Sequence, residues 1–280
     1  MILVLGATGT VGAETVKALK AKNVPVTAAS RDPKKATDLL GIPAVAWDFE
    51  KPAEFAAALK GIDAVFLLTP PGTMQDVAYA TRVLDAIKGS SVKKIVRLSV
   101  IGASKNPAGD AFKIEQLVEA SGLKFVHVRP TFFNQNTDEG MLASIKTGVI
   151  ALPTGEGKTS FIDARDIGAV SAEALTSDKW DGQGLELTGP EALTYADQAR
   201  LISEKAGIKV AFNDLTVDEF KSAWKANGVP ERYVEFMAGL YGFVKQGYMA
   251  GIEDGVKKVL GREPISFAKY AEDYAEKFRG

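Results

Sequence analysis

The sequence predicts an α/β fold in which a doubly wound parallel sheet is joined to a smaller, mostly helical C-terminal lobe. Over residues 1–22 an apolar run gives way to a glycine-rich turn and then to a helical pattern. Short apolar runs then alternate with helical segments as far as residue 129, which is typical of a parallel sheet covered on both faces. From residue 190 onward, helical periodicity and helix-capping signals prevail, with capping patterns from Thr194 to Asp197 and from Thr216 to Glu219.

The first element is an uncharged strand that ends in a glycine-rich turn. Gly6, Gly9 and Gly12 follow the strand at intervals of three residues, and the helical pattern begins within this turn. Such a turn lets bare backbone approach a pyrophosphate, while the helix N-terminus offers N–H groups and a positive dipole. The context therefore predicts a Rossmann-type dinucleotide site, the alternative being a glycine turn that binds nothing.

The second strand, residues 24–29, ends in cations rather than in an acid. Arg31 follows Ser30 about 20 residues beyond the glycines, where NAD-preferring folds place an acid for the ribose 2′-OH. A guanidinium can instead bind the oxygens of a 2′-phosphate. We therefore expect NADP(H) rather than NAD, the alternative being a solvated loop charge. Asp32, followed by Pro33, has the pattern of a helix N-cap.

The third and fourth strands also end in candidate cofactor contacts. Asp48 follows the third strand, where it can meet the adenine or simply begin a turn. Thr69 and Pro70 follow the apolar fourth strand, residues 62–68, in a loop that runs to Gly72. Open α/β sheets bind ligands outside the carboxyl ends of their strands, so this loop should border the cofactor.

Further strands are expected at residues 94–99 and 125–129. His127, the single histidine, lies in the apolar run of the second of these, which favours a core position over catalysis. The following loop contains Phe132, Phe133 and Asn134. Aromatic and amide side chains suit a wall for a flat substrate or for nicotinamide, although packing onto the next helix would need the same residues.

The remaining pattern divides the chain into two parts. A helix over residues 163–175 and a strand over residues 185–189 return to the sheet. The resulting division is a nucleotide-binding domain of residues 1–133 and 158–188 and a substrate-side lobe of residues 134–157 and 189–280. Within that lobe, Tyr233 begins an aromatic helical segment that can form core, a cleft wall or a contact with a partner.

Composition indicates an ordinary globular protein that binds a small molecule. Of 280 residues, 46% are hydrophobic and 25% are charged, as in a typical folded domain. The chain has 34 Lys and Arg residues and 35 Asp and Glu residues, so no excess of positive charge favours binding to nucleic acid or to an anionic membrane. The absence of cysteine excludes disulfides and thiolate metal sites, and no metal site is expected. Without a signal-like or membrane-spanning run, we expect a cytoplasmic monomer or homodimer.

Several segments together carry a family resemblance. They are residues 6–12, 30–31, 113–123, 128–130, 161–167 and 194–195. In these segments the chain resembles the NmrA-like atypical short-chain dehydrogenases/reductases, and in particular the bacterial NAD(P)H quinone oxidoreductase and triphenylmethane reductase branch. The similarity covers nearly the whole chain.

The resemblance implies a specific set of cofactor contacts. At the pyrophosphate of NADPH these would be Gly6, Thr8, Gly9, Thr10, Val11 and Gly12, with Arg31 at the 2′-phosphate. Around the nicotinamide half they would be Thr69, Pro70, Lys113 and the loop over residues 130–133, including Phe132.

One family feature is missing. Lys113 matches the lysine of the YxxxK pair of short-chain reductases, but Gly109 stands where the proton-donating tyrosine is expected. Reduction of a ketone needs a positioned acid, whereas a quinone or a cationic dye takes a hydride with little help beyond binding. We therefore expect hydride transfer from NADPH to a quinone or a similar conjugated aromatic acceptor. Lys113 and Ser99 are the catalytic candidates, and Tyr79 is another possible proton donor.

The same features leave alternatives open. Phe133, Asn134 and Tyr233 are the candidate substrate contacts, for a small aromatic or quinone-like molecule. The missing tyrosine is equally compatible with a non-catalytic NADP(H)-binding redox sensor that controls a protein partner, in which the aromatic helical segment would be a partner surface. An epimerase or an isoflavone-reductase-like enzyme is a third possibility, but the acid or base that it would require near the nicotinamide is not found at the expected position.

Overall fold

The computed structural model describes residues 1–70 and 75–279. The chain divides into two compact units, each made of several segments. The first unit consists of Met1–Pro130, Ala164–Leu187 and Gly255–Arg262. The second unit consists of Thr131–Asp163, Thr188–Asp254 and Glu263–Gly280.

The helices and strands alternate in the first part of the chain, as the sequence predicts. The strands are β1 Ile2–Val4, β2 Val26–Ser30, β3 Ala44–Ala46, β4 Ala64–Leu67, β5 Lys94–Leu98, β6 Lys124–Pro130, β7 Val149–Leu152, β8 Gln183–Leu187 and β9 Ala211–Asp214. The α-helices are α1 Thr10–Ala21, α2 Pro33–Leu40, α3 Phe55–Ala58, α4 Asp76–Ile87, α5 Asp110–Ala120, α6 Asn136–Glu139, α7 Leu142–Lys146, α8 Ala164–Thr176, α9 Tyr195–Ala206, α10 Val217–Ala226, α11 Glu231–Lys245, α12 Gly255–Leu260, α13 Phe267–Asp273 and α14 Ala275–Arg279. Short 3-10 helices span Pro52–Glu54, Ala103–Lys105 and Asp178–Trp180.

The first unit is built on a seven-stranded parallel sheet with the order β3-β2-β1-β4-β5-β6-β8. This order confirms the predicted doubly wound, Rossmann-type sheet. Leu3 of β1 pairs with Thr27 on one side and with Val65 on the other. The strand order reverses between β1 and β4, which is where such sheets open a crevice for a ligand at their carboxyl ends.

The central strands of this sheet are buried on both faces. Leu3, Val65 and Ile95 are fully buried, which explains why their strands read as continuous apolar runs. On one face α1 and α8 pack closely, since a Cβ at Gly168 of α8 would lie less than 3.0 Å from the backbone of Glu14 in α1. The sheet and its covering helices therefore form one tightly packed frame for the turn after β1.

The second unit is mainly helical and contains a two-stranded parallel sheet, β7 with β9. Both predicted capping arrangements are present, from Thr194 to Asp197 at the start of α9 and from Thr216 to Glu219 at the start of α10. The sequence does not single out β7, because a four-residue apolar run that pairs with one short strand has no distinctive period.

The unit boundaries differ from the division drawn from the sequence. Residues 131–133, 158–163 and 188 belong to the second unit, and 255–262 belong to the first. The last difference arises because α12 packs against β8, where a Cβ at Gly255 would lie less than 3.0 Å from the carbonyl oxygen of Glu186. Across residues 1–70 and 75–279, the structure has no helix whose length and hydropathy would let it cross a membrane.

Candidate functional site

The glycine turn after β1 presents the N-terminus of α1 without a side-chain cap. Gly6 adopts a left-handed conformation with φ of 61°, and its carbonyl oxygen accepts a 2.9 Å hydrogen bond from the N–H of Gly9. Gly9 is the N-cap of α1, no side chain caps the helix there, and the first turn carries no acid. A capless helix N-terminus with its positive dipole is suited to binding an anionic phosphate group.

Steric contacts explain two of the three glycines. A Cβ at Gly12 would lie less than 3.0 Å from the carbonyl oxygen of Gly6, so only glycine lets α1 start this close to the turn. A Cβ at Gly6 would meet the side chain of Leu68, which follows β4. Thr8 is exposed, whereas Val11 is buried and so offers a ligand only its backbone.

Arg31 is exposed at the carboxyl end of β2. No hydrogen bond or ion pair joins its side chain to any residue that the structure describes. Its neighbours are engaged locally, since Ser30 Oγ accepts from the N–H of Asp32 at 3.1 Å and Asp32 accepts from the N–H of Lys35 at 3.0 Å. The prediction that Asp32 is the N-cap of α2 is confirmed. The Arg31 guanidinium is therefore accessible from solvent.

Asp48, predicted at the adenine, and Thr69 and Pro70, predicted at the nicotinamide half, are partly engaged in local hydrogen bonds. Asp48 accepts a 3.0 Å hydrogen bond from the N–H of Glu50, which is the turn role left open in the sequence. Thr69 donates its hydroxyl to Asp76, at the start of α4. Pro70 ends the described part of this loop, and its predicted continuation through Gly72 lies outside the described residues.

Tyr79 does not present a free hydroxyl. It is buried in α4 and donates its phenolic proton to Glu50, and Arg82 also binds Glu50 at 3.1 Å. The hydrogen bond to Glu50 raises the pKa of Tyr79 above its ordinary value, and the same bond lowers the pKa of Glu50. A phenol held in this way is a poor proton donor for a bound substrate.

Lys113 lies on the outer side of α5, and its side chain is about half exposed. Its partner is Asp110 in the first turn of the helix, at 2.9 Å. Gly109 is the N-cap of α5, and a Cβ there would lie 2.8 Å from Nδ2 of Asn106. The position where a tyrosine is expected therefore carries no side chain, and Asn106 leaves little room for one.

Ser99 is buried immediately after β5 and faces the protein interior. Its Oγ donates a 2.5 Å hydrogen bond to Oε1 of Glu115, which is itself only 1% exposed. Arg129 of β6 binds both oxygens of that carboxylate, at 2.9 Å through Nε and 2.7 Å through Nη2. Burial alone would raise the pKa of Glu115, but the hydrogen bonds from Arg129 and Ser99 hold it below its ordinary value. The proton of Ser99 is thus committed to an ionised carboxylate.

His127 lies beside this carboxylate, in the core position that the sequence predicts. It is 1% exposed, and its Nε2 lies 3.2 Å from Glu119. Burial lowers the pKa of His127. Ligand atoms of Glu115, Glu119 and His127 lie within 4.8 Å of one another, as a metal site would require. However, Arg129 occupies both oxygens of Glu115, so the chain already supplies positive charge there.

The predicted substrate residues Phe133, Asn134 and Tyr233 all lie in the second unit, and so does Phe132, which was predicted as a cofactor contact. Phe132 stacks on Tyr241 of α11 with ring centroids 6.4 Å apart, and Phe133 pairs with Ile162. Asn134 is fully buried, and neither atom of its amide has a hydrogen-bond partner among the described residues. Tyr233 is half-buried on α11. It stacks on Trp224 and Phe236, with ring centroids 6.3 Å away in each case.

The chain matches one known protein family over most of its length. The NmrA-like family matches residues 1–270. The chain belongs to the NmrA-like family. This confirms the resemblance drawn from the sequence.

Individual relatives agree with this assignment over nearly their full length. The NAD(P)H azoreductase of Xenophilus azovorans is 37% identical over 284 residues, which cover 99% of each chain. The Prestalk A differentiation protein A of Dictyostelium discoideum is 32% identical, covering 97% of this chain and 91% of the relative. The crystal structure of an NADPH-dependent quinone oxidoreductase from Escherichia coli, complexed with NADPH, is 25% identical with a TM-score of 0.86, covering 98% and 99% of the two chains.

The first unit of this NmrA-like protein fits a dinucleotide phosphate on its own geometry. The glycine turn has no room for a Cβ at Gly12, α1 has no side-chain cap, and Arg31 has no described partner. Gly6, Gly9 and Gly12 would hold the pyrophosphate by backbone, and Arg31 would hold the 2′-phosphate. Thr8 and Thr10 lie in the same turn and remain predicted contacts.

Sequence reasoning missed a cluster of charged side chains around Glu115 in the first unit of the NmrA-like protein. Glu115 and Arg129 were not singled out, and neither was Glu186 of β8, which lies 3.2 Å from Arg129 Nη1. One signal was present, because alternation along β6 places His127 and Arg129 on the same face of an otherwise apolar strand. Two polar side chains on one buried face require partners.

Proposed function

We propose that this chain, an NAD(P)H-dependent oxidoreductase of the NmrA-like family that binds NADP(H), reduces a quinone or a similar conjugated aromatic acceptor. The observation that carries the proposal is the N-cap of α5, where Gly109 stands in place of a proton-donating tyrosine. The other two candidate donors are engaged, Ser99 with Glu115 and Tyr79 with Glu50.

Acceptor chemistry follows from the lack of a positioned acid. A ketone that takes a hydride becomes an alkoxide, which needs a proton as it forms. A quinone that takes a hydride becomes a delocalised phenolate, which can take its proton from water afterwards. The protein then has to bind the acceptor and orient it. When bound, NADPH supplies the hydride.

The residues of the first unit would bind and orient the cofactor. The N-terminus of α1 would bind the pyrophosphate, and Arg31 would bind the 2′-phosphate through its planar fork. Lys113, with a side chain that is about half exposed, would bind the ribose hydroxyls. Ser99 would act indirectly, since its hydroxyl proton points to Glu115.

The second unit would supply the acceptor-binding surface. Phe133 and Tyr233 offer aromatic faces, whereas Asn134 is fully buried, so its amide, whose two polar atoms lack described partners, would meet an acceptor only after a local movement of the chain. Aromatic rings stack favourably on flat conjugated molecules. The names of the relatives agree with such acceptors, one being an NAD(P)H azoreductase and another an NADPH-dependent quinone oxidoreductase.

An acceptor panel tests the proposal. Purified protein is mixed with NADPH and, in turn, a benzoquinone, a naphthoquinone, an azo dye, a triphenylmethane dye and a simple aliphatic ketone, and cofactor oxidation is followed by absorbance. We expect turnover with at least one conjugated acceptor and none with the ketone. Turnover of the ketone alone, or of no acceptor, would contradict the proposal.

The same experiment separates the enzyme from a sensor. The relative named for prestalk differentiation is 32% identical, and the missing tyrosine is equally compatible with a protein that binds NADP(H) without chemistry. Tight NADPH binding with no acceptor reduced, together with a protein partner recovered only when the cofactor is present, would favour the sensor.

A further inference from the structure

The buried carboxylate of Glu115 holds together the two ends of one chain segment. Ser99 begins this segment, directly after β5, and Glu115 lies in α5 near its other end. The 2.5 Å hydrogen bond between them closes the segment into a loop. Lys113, the candidate ribose ligand, lies inside that loop, two residues before Glu115.

Arg129 is the centre of this arrangement. It binds Glu115 through two nitrogen atoms and Glu186 of β8 through Nη1 at 3.2 Å. Its guanidinium crosses β8 at Gly184, where a Cβ would lie less than 3.0 Å from Nη1. Glu186 in turn accepts a 3.3 Å hydrogen bond from the N–H of Gly102, in the middle of the loop.

Helix geometry couples the buried carboxylate to the exposed ammonium. Residues two apart on an α-helix point about 200° away from each other. Because Glu115 is drawn inward by Arg129 and Ser99, Lys113 must point outward. Among the described residues, the ammonium of Lys113 pairs with Asp110, on the same exposed side of α5. Rotation or displacement of α5 would move it.

We propose that the network of Ser99, Glu115, Arg129 and Glu186 is a positioning device that sets α5 so that Lys113 meets the ribose of the bound cofactor. This proposal rests on the proposed function only for the role of Lys113. Glu115 and Arg129 act through Lys113 and touch no substrate, so they are positioning residues. The network also explains why a carboxylate is ionised in the core, since three hydrogen bonds and a second arginine, Arg97 at 4.0 Å, surround it.

A double-mutant cycle on NADPH binding tests this proposal. The dissociation constant of NADPH is measured by the fluorescence of the bound reduced nicotinamide, with no acceptor present, for Lys113→Ala, Glu115→Gln and the double variant. We expect Lys113→Ala to weaken binding about tenfold in the wild-type background and less than about threefold in the Glu115→Gln background. A purely structural carboxylate would give additive effects.

Glu119→Gln is the matched control. Glu119 lies one turn further along α5 and binds His127, so its replacement removes a carboxylate from the same helix without touching Arg129. Lys113→Ala should keep its tenfold effect in that background. If Glu115→Gln does not fold, the cycle is run with Arg129→Lys. This substitution keeps the positive charge and removes the bidentate hydrogen bonding to Glu115.

Two results would overturn the proposal. One is additivity of Lys113 with both Glu115 and Arg129, and the other is unchanged NADPH affinity in Lys113→Ala. Failure of the proposed function would give a different pair of results. In that case the cycle would still show coupling, while no conjugated acceptor would be reduced.

Discussion

Gly12 and Gly6 lie in such close contact that a Cβ on Gly12 would come within 3.0 Å of the carbonyl oxygen of Gly6. The first turn of α1 thus packs directly on the backbone of the turn that follows β1. This contact brings the helix N-terminus to the carboxyl edge of the sheet, where β1 and β4 are neighbours. The geometry of this helix N-terminus, which we propose binds the cofactor phosphates, therefore depends on the absence of a side chain at Gly12.

Gly12→Ala should damage both folding and cofactor binding. The obstructing atom is backbone, which cannot rotate away, so we expect a loss of about 1–3 kcal/mol in the free energy of unfolding and at least a tenfold loss in NADPH affinity. Urea unfolding and a fluorescence titration measure the two effects. Gly239→Ala in α11 is the control, because nothing lies within 4 Å of a Cβ there. It should be neutral or stabilising by about 0.5–1 kcal/mol.

Arg31→Ala should weaken NADPH binding and leave NADH binding nearly unchanged. The guanidinium has no described partner, so its removal strands no buried charge, and the loss is that of charge-assisted hydrogen bonds to the 2′-phosphate. We expect roughly a 10- to 100-fold rise in the dissociation constant of NADPH and less than about a threefold change for NADH. Lys34→Ala removes a nearby cation that pairs with Asp38, and should change neither. Equal losses for both cofactors would refute a role at the 2′-phosphate.

The sequence was sufficient for the parts of the fold that follow strong local rules. The glycine spacing, the apolar runs of the central strands and the N-cap at Asp32 each have a period or a residue preference that can be read directly. Thr194 and Thr216 were likewise found from capping patterns. These features depend on residues within one turn of each other.

The network around Glu115 could not be predicted in the same way. Its members come from β5, α5, β6 and β8, and the sheet order brings them together only in three dimensions. From the sequence alone, Ser99 was a catalytic candidate, but its hydroxyl proton is directed to Glu115. That direction depends on the burial of a carboxylate 16 residues away, which no local pattern encodes.

Acidification should destabilise the first unit partly through His127. Burial lowers the pKa of His127 from its ordinary value of 6.5, despite the neighbouring carboxylates of Glu115 and Glu119, and Arg97 acts in the same direction as burial. The folded state therefore binds fewer protons than the unfolded state as the pH falls through about 6.5, so folding stability is lost in that range and below. Urea midpoints measured between about pH 8 and pH 5 should fall more steeply for the wild type than for His127→Gln. Identical slopes would show that His127 does not titrate differently on unfolding.

The carboxylate of Asp138 should be energetically coupled to the hydroxyl of Tyr270 within the second unit. Asp138 accepts a 2.7 Å hydrogen bond from buried Tyr270 and a 2.6 Å bond from Lys277, which is about half exposed. Asp138→Ala leaves the Tyr270 hydroxyl without its acceptor, at a cost of about 1–3 kcal/mol in the free energy of unfolding, whereas Lys277 can turn to water. Removing that hydroxyl as well, in Asp138→Ala with Tyr270→Phe, should recover part of the loss. Urea denaturation of the two single variants and the double variant measures the coupling, and strictly additive losses would mean that the hydrogen bond contributes nothing.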